Sequence, residues 1–176
     1  LLYNNWVYTF VTSHRQRSEA LARDILARSI HDHTNLVRMT GLRAVAATQF
    51  TAGEFQLAAQ HFEESIALYE LAAQADLTQA VGLDGKVTAW GYNSLARWCL
   101  GDAATAHHQI RQALAYASTL NHISTTAFIT YHQALLAGVL ERDEAVLSAN
   151  GKQLEAIGQE HRFEMWLICG KLLQSL

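Results

Sequence analysis

No proline occurs anywhere in the 176 residues, although average usage would put about nine in a chain of that length. Without a residue that removes the amide donor and clashes with the preceding turn, helix can follow helix with nothing to break it. Apolar side chains recur throughout near the 3.6-residue helical period, and strict alternation is almost absent. The pattern therefore predicts an all-α fold. Short polar clusters divide it into nine predicted helices, at about 2–13, 16–30, 34–52, 54–74, 86–100, 102–119, 122–139, 142–157 and 160–175. Ser13 followed by Gln16, and Asp84 ahead of Lys86-Val87, are read as helix N-caps. Gly53 and Gly101 sit where helices should stop and turn. Helices joined by such short turns become antiparallel neighbours, so the expected unit is a helical hairpin, stacked side by side.

Composition removes several function classes. Half the residues are apolar, 16% are charged and the net charge is -3, a balance that disfavours disorder. The same balance leaves no basic footprint for nucleic acid or for an anionic membrane. No apolar run approaches the roughly 18 residues of a transmembrane helix, and no signal-peptide pattern opens the chain. Two cysteines make no disulfide scaffold, which points to a reducing cytoplasm. The chain starts Leu1-Leu2-Tyr3 and stops inside an apolar helical pattern. Residues 1–176 are accordingly read as a single domain cut from a longer polypeptide.

An internal repeat sharpens the fold. Gly53-Glu54-Phe55 is followed by Ala58, Ala59, Phe62 and Ile66, and Gly101-Asp102-Ala103 by Ala106, Ile110, Ala113 and Leu114. In both, a Gly–acid pair opens a helix with a small residue five positions on and a large apolar one nine positions on. The glycine turns the chain, the alanine lets two backbones approach, and the large side chain fills the next groove. Weaker copies are read at 15–27, with Ala20 in the small position, and at 141–154, with Val146 there. This pattern resembles the second half of the tetratricopeptide (TPR) repeat. The resemblance implies a right-handed α-solenoid of about four hairpins plus a final helix. Its spacings of 38, 48 and 40 residues exceed the family's period, which longer helices and an inserted connection at 75–85 would explain. An irregular helical bundle is the alternative. Expected buried anchors are Ala20, Leu42, Val45, Ala58, Phe62, Trp90, Ala106 and Ile110.

A narrower resemblance rests on His61-Phe62-Glu63-Glu64-Ser65-Ile66-Ala67-Leu68-Tyr69, Gly82-Leu83-Asp84, Trp98-Cys99-Leu100-Gly101 and Phe163-Glu164-Met165-Trp166. These runs are similar to the TPR-like region that follows the ATPase module of bacterial multidomain signalling proteins. Such proteins join a cyclase or winged-helix domain to a STAND-type ATPase and a helical array. The resemblance implies a cytoplasmic regulatory segment that binds protein or peptide. Glu141, where a turn glycine is usual, and Arg97, at a usually packed position, depart from the pattern.

No motif assembles a catalytic site. Gly82-Leu83-Asp84-Gly85-Lys86-Val87 has two residues, not four, before its Gly-Lys pair and Val where a phosphate loop needs Ser or Thr, so it is read as a helix-start turn. Among nine histidines the best metal constellation is His31-Asp32-His33, with His161 and Glu164 at helical spacing as a second pair. Neither has the ligand count of a zinc site, and no cofactor or metal is expected. Cys99 and Cys169 lie in apolar runs and are read as buried thiols.

What remains is surface for binding. The TPR register implies a concave groove lined by Asn5, Trp6 and Thr9, then Arg43, Ala47 and Phe50, then Tyr92, Leu95 and Trp98, then Phe128, Tyr131, His132 and Leu135. One cation among aromatics suits an apolar helix or extended hydrophobic segment better than an acidic tail. The alternatives are that these rings merely pack a tightly wound inner face, or that the groove holds a small apolar ligand. The last helix carries Phe163, Trp166, Leu167, Ile168, Cys169, Leu172, Leu173 and Leu176, too many for one neighbour to cover. Trp166, Leu167 and Leu173 are the expected anchors of self-association into a homodimer.

Overall fold

The computed structural model describes residues 1–31, 35–71 and 82–176. The side chains of the His31-Asp32-His33 cluster, and residues 75–81 of the expected insertion, lie outside them. Among the described residues there are nine helices and no strand. They are α1 (Leu2–Val11), α2 (Arg15–Arg28) with a 3-10 turn at Ser29–His31, α3 (Leu36–Thr51), α4 (Phe55–Leu71), α5 (Gly85–Cys99), α6 (Ala103–Thr119), α7 (Ile123–Gln133) widening into a π-helix at Ala134–Leu140, α8 (Glu144–His161) and α9 (Glu164–Gln174). Each helix packs on the next in sequence. The odd-numbered helices also touch one another in a row, α1 on α3, α3 on α5 and α5 on α7.

The turns explain this order. Among the described residues, left-handed backbone between helices occurs at Ser13, Asn35, Gly53, Gly82, Gly101, Asn121, Arg142 and Arg162. Such a residue reverses the chain and lets the following amide reach back to an orphan carbonyl of the finished helix. The amides of His14, Glu54, Asp102 and Phe163 donate to the carbonyls of Thr9, Gln49, Arg97 and Gly158, at 2.8 to 3.0 Å. After the π-helix the same bond spans one residue more, from Asp143 to Ala137 at 2.9 Å. The next helix then starts on a side-chain cap at Asp84, Asp102, His122 and Asp143, whose acceptors take backbone amides at 2.8 to 3.3 Å. Thr105 holds the Asp102 carboxyl below its ordinary range through hydrogen bonds to the charged form. Ser13 is not the cap of α2, because its left-handed backbone makes it the turn residue and leaves His14 at the cap, with no side-chain bond to the amides of α2.

These turns correct the repeat register. The odd-to-even turns fall at Ser13, Gly53, Gly101 and Arg142, 40, 48 and 41 residues apart. In the first repeat the buried small residues are Ser18 and Ala22, while Ala20 is exposed. Val45 and Val146 are half-buried; Leu42, Ala58, Phe62, Trp90, Ala106 and Ile110 are buried as expected. The fourth repeat reverses the pattern, with Leu147 five positions after the turn and Gly151 nine. Glycines opposite make room: a Cβ on Gly138 would lie 2.8 Å from Leu147 Cδ1, and one on Gly151 would lie 3.1 Å from the Gly170 carbonyl. At Gly101 nothing crowds a Cβ, so only its φ of +84° requires glycine. Gly101→Ala is therefore expected to cost about 1–2 kcal/mol in urea unfolding; an unchanged midpoint would contradict this account of the turn.

Among the described residues two hydrophobic clusters form the interior. Trp6, Ile25, Phe62 and a set of alanines (Ala22, Ala44, Ala46, Ala47, Ala58, Ala89) make the first. The second runs from Val87 and Trp90 through Ile110, Ile129 and Leu136 to Leu154, Trp166 and Leu173. Phe50, Ile66 and Tyr92 pack on both.

Candidate functional site: the aromatic face of the odd-numbered helices

Apolar residues three and four apart on α1 put Tyr3, Trp6 and Phe10 in one stack, with ring centroids 5.4 and 5.0 Å apart. Phe10 meets the edge of Tyr92 at 6.3 Å, which carries the ladder onto α5. Tyr92 is its hub, touching Phe50, Phe62, Phe128 and His132 at 5.7, 6.0, 5.8 and 4.9 Å. From there Tyr131 reaches His132 at 5.9 Å and Trp166 of α9 at 6.1 Å. Edge-to-face and offset contacts of this kind add to simple burial. Burial, and secondarily Tyr3 and Tyr131, push the Tyr92 phenol up to about 12.

The structure brings six of the expected groove residues, Trp6, Phe50, Tyr92, Phe128, Tyr131 and His132, into this ladder, and packs many of the set inside. Trp6, Thr9, Arg43, Leu95, Phe128 and His132 are buried; Phe50, Tyr92, Trp98, Tyr131 and Leu135 are half-buried; Asn5 is exposed. Trp6 Nε1 donates to Thr48 Oγ1 at 3.2 Å, and the Thr9 hydroxyl donates back to the carbonyls of Asn5 and Trp6. Trp98 stands apart, its Nε1 donating to Glu141 Oε1 at 3.0 Å, where His107 Nε2 also binds at 3.0 Å. Glu141 thus has a polar role that its place in the repeat did not suggest.

The partners of two polar features escaped the sequence. Arg43 is 3% exposed, with its Nη2 on the Tyr3 hydroxyl at 2.9 Å and its guanidinium 5.3 Å from the Tyr3 ring centre. Its Nε has no acceptor, and among the described residues no carboxylate pairs with it. Gly85 makes room for it, since a Cβ there would fall 2.9 Å from Nη1. At the same end, the Tyr69 hydroxyl donates to Asp84 Oδ2 at 2.6 Å and the Asp84 amide to Thr125 Oγ1 at 3.0 Å. Lys86 lies over the rings of Trp90, Tyr116 and Tyr69 at 4.6, 5.3 and 5.9 Å. The Asp84 cap was visible beforehand, from its place ahead of an amphipathic run, and Arg43 as the one cation of the groove, but not the partners either one takes.

His132 is the titratable member of the ladder. Its Nδ1 donates to the Phe128 carbonyl at 2.9 Å, which fixes the neutral tautomer with the lone pair on Nε2. Rings of Tyr92, Phe128 and Tyr131 surround it. Burial lowers its pKa from 6.5 to about 4. The unfolded chain therefore takes up this proton at higher pH than the folded one. Stability is full above pH 6.5 and falls as pH drops toward 4, by up to about 3 kcal/mol. Urea titrations of the wild type and His132→Asn across that window should differ by this slope; parallel curves would contradict it.

The remaining sequence candidates are placed as follows. His161 ends α8 and Glu164 starts α9, so a turn separates them and they are not ligands on one helical face. Among the described residues no three His, Cys, Asp or Glu side chains converge on a metal-sized site. Cys99 is exposed and not buried, and Cys169 is half-buried; partial burial raises both thiols. Gly82 to Val87 is the turn and first residues of α5, under the Asp84 cap. Trp166 and Leu173 are buried, at 7% and 2% exposure, and Leu167 is half-buried. An open cleft of about 530 Å³ lies between the turn before α5 and the starts of α7 and α9, lined by Leu83, Ser124, Phe163, Met165 and Trp166 among others. No helix of the described residues is long and apolar enough to cross a membrane. No family model, curated protein or solved structure matches the chain.

Proposed function

We propose that the chain is a non-catalytic protein-interaction module, a TPR-like right-handed α-solenoid whose aromatic inner face receives an apolar helix or extended hydrophobic segment of another protein. The observation that carries this reading is the row of odd-numbered helices joined by one aromatic ladder. A surface built this way offers preorganised rings with little entropy left to lose, which suits hot-spot recognition. Of that face, the half-buried Tyr131, Leu135 and Trp98 are the parts a partner would touch. The motif resemblance places such a module in the regulatory region of a bacterial cytoplasmic signalling protein.

Selection from a displayed library of amphipathic helical peptides tests the reading. Binders with about micromolar affinity are expected, weakened at least about tenfold by Tyr131→Ser or Leu135→Ser, a loss near 1.4 kcal/mol. Leu57→Ser, on the exposed face of α4, should change nothing. A selection without binders, or binders indifferent to the α7 variants, would sink the proposal. ATP titration should give no heat, and turnover of ATP would refute a non-catalytic role. A second reading, a sensor for a small apolar ligand, is favoured by the cleft beside Trp166. It predicts that fatty or aromatic ligands compete with one another and are blocked by Met165→Trp.

A further inference from the structure

We infer that α9 is a self-association helix that pairs antiparallel with α9 of a second copy of this chain. The helix turns Trp166, Gly170 and Leu173 inward, while Met165, Ile168, Leu172 and Leu176 are 59, 65, 56 and 73% exposed. Spacings of three and four residues put Met165, Ile168 and Leu172 on one stripe at 100° per residue, with Leu176 two residues past the end of the helix. Gln174 does not interrupt it, because its amide is turned back onto Glu155 Oε2 at 2.8 Å.

Charge chooses the occupant. Glu164 and Lys171 are seven residues apart and so flank the same side of the stripe, one at each end. Both are exposed, and neither has an ionic or side-chain hydrogen-bond partner among the described residues. In an antiparallel helix pair, equal flanks face one another. A two-fold axis near Ile168 therefore sets Glu164 of one copy against the partner's Lys171, and does so twice. A parallel pair would leave these charges on opposite sides of the seam. The pattern is thus self-complementary in one orientation only, as an isologous contact requires. Met165, Ile168 and Leu172 of two copies bury on the order of 700 Å², below the roughly 1,200 Å² that bounds weak, reversible contacts.

Trp166 and Leu173, two of the three anchors suggested by sequence, cannot report on this contact because both are buried, Trp166 against Tyr131. Ile168 and Leu172 can. Sedimentation velocity of the 176-residue chain should show a reversible dimer with a dissociation constant of about tens of micromolar. Ile168→Glu and Leu172→Glu should each leave a folded monomer at about 200 µM, well above that constant. Glu164→Lys alone should weaken the dimer at least about fivefold. Adding Lys171→Glu to it should restore wild-type association. A wild type that stays monomeric at that concentration would overturn the inference, as would a dimer indifferent to Ile168→Glu. Failure of the charge swap to restore association would overturn the antiparallel pairing, and a further helix of a longer chain packed on the stripe would overturn the second copy as occupant.

Discussion

Phe62→Ala is expected to remove about 3–5 kcal/mol of stability, a large share of the roughly 5–15 kcal/mol that holds an ordinary domain folded. Phe62 is fully buried, and its ring lies parallel to that of Tyr92, 6.0 Å away at an interplanar angle of 2°. The first cluster around it is built mostly of alanines. Alanines have no torsions with which to refill a cavity, so the lost volume stays empty and the cost falls at the upper end. Phe62→Leu keeps more of the volume and should cost less than half as much. Urea unfolding followed by circular dichroism measures both, and an alanine variant within about 1 kcal/mol of wild type would mean that the cluster collapses more freely than its composition allows.

The second large effect belongs to the packing of α9 on α8. A Cβ on Gly158 would collide with the backbone of Leu167, and one on Gly170 would lie 2.5 Å from the amide nitrogen of Glu155. Backbone cannot rotate away as a side chain can, so Gly158→Val must push the two helices apart. A loss above about 3 kcal/mol is expected, and it should be local. In an array where each helix leans on its neighbours, the ends open without the middle. Hydrogen exchange should show the amides of Glu164–Gln174 losing their protection while those of α3 and α4 keep theirs. Undiminished protection in α9 would contradict the close approach; uniform loss throughout would contradict the neighbour-by-neighbour stability.

The same glycines show where sequence reading ran out. All nine helices were legible to within a few residues at most ends, because an uninterrupted 3.6-residue pattern needs no tertiary information. The turns at Gly53 and Gly101 were legible because glycine announces left-handed backbone. The equivalent turns at Ser13 and Arg142 were not, since those residues take that conformation only under the constraint of the helices on either side. The fourth repeat was misread for a related reason. Its small and large residues are exchanged, and the exchange makes sense only once Gly138 and Gly170 are seen opposite Leu147 and Gly151. For the site, helical spacing did identify the side chains that share the odd-helix face. It could not say how deep each one lies, because depth depends on the neighbour two helices away: Tyr131 and Trp166 meet across 35 positions of sequence.

Among the described residues Phe50, Ile66 and Tyr92 pack on both hydrophobic clusters, and α5 lends Ala89 to the first and Val87, Trp90 and Leu95 to the second, so the two halves of the molecule are joined in series there. Two springs in series carry the same tension, and the softer junction yields first. Pulled from its termini in an optical trap, the chain should therefore part in two steps, α1 to α4 separating as one body from the helices after α5. Calorimetry of Tyr92→Ala should likewise resolve the single heat-absorption peak of the wild type into two. If that junction yields first, one half gives way under load while the other keeps its shape, and strain arriving through α1 is taken up before it reaches α7.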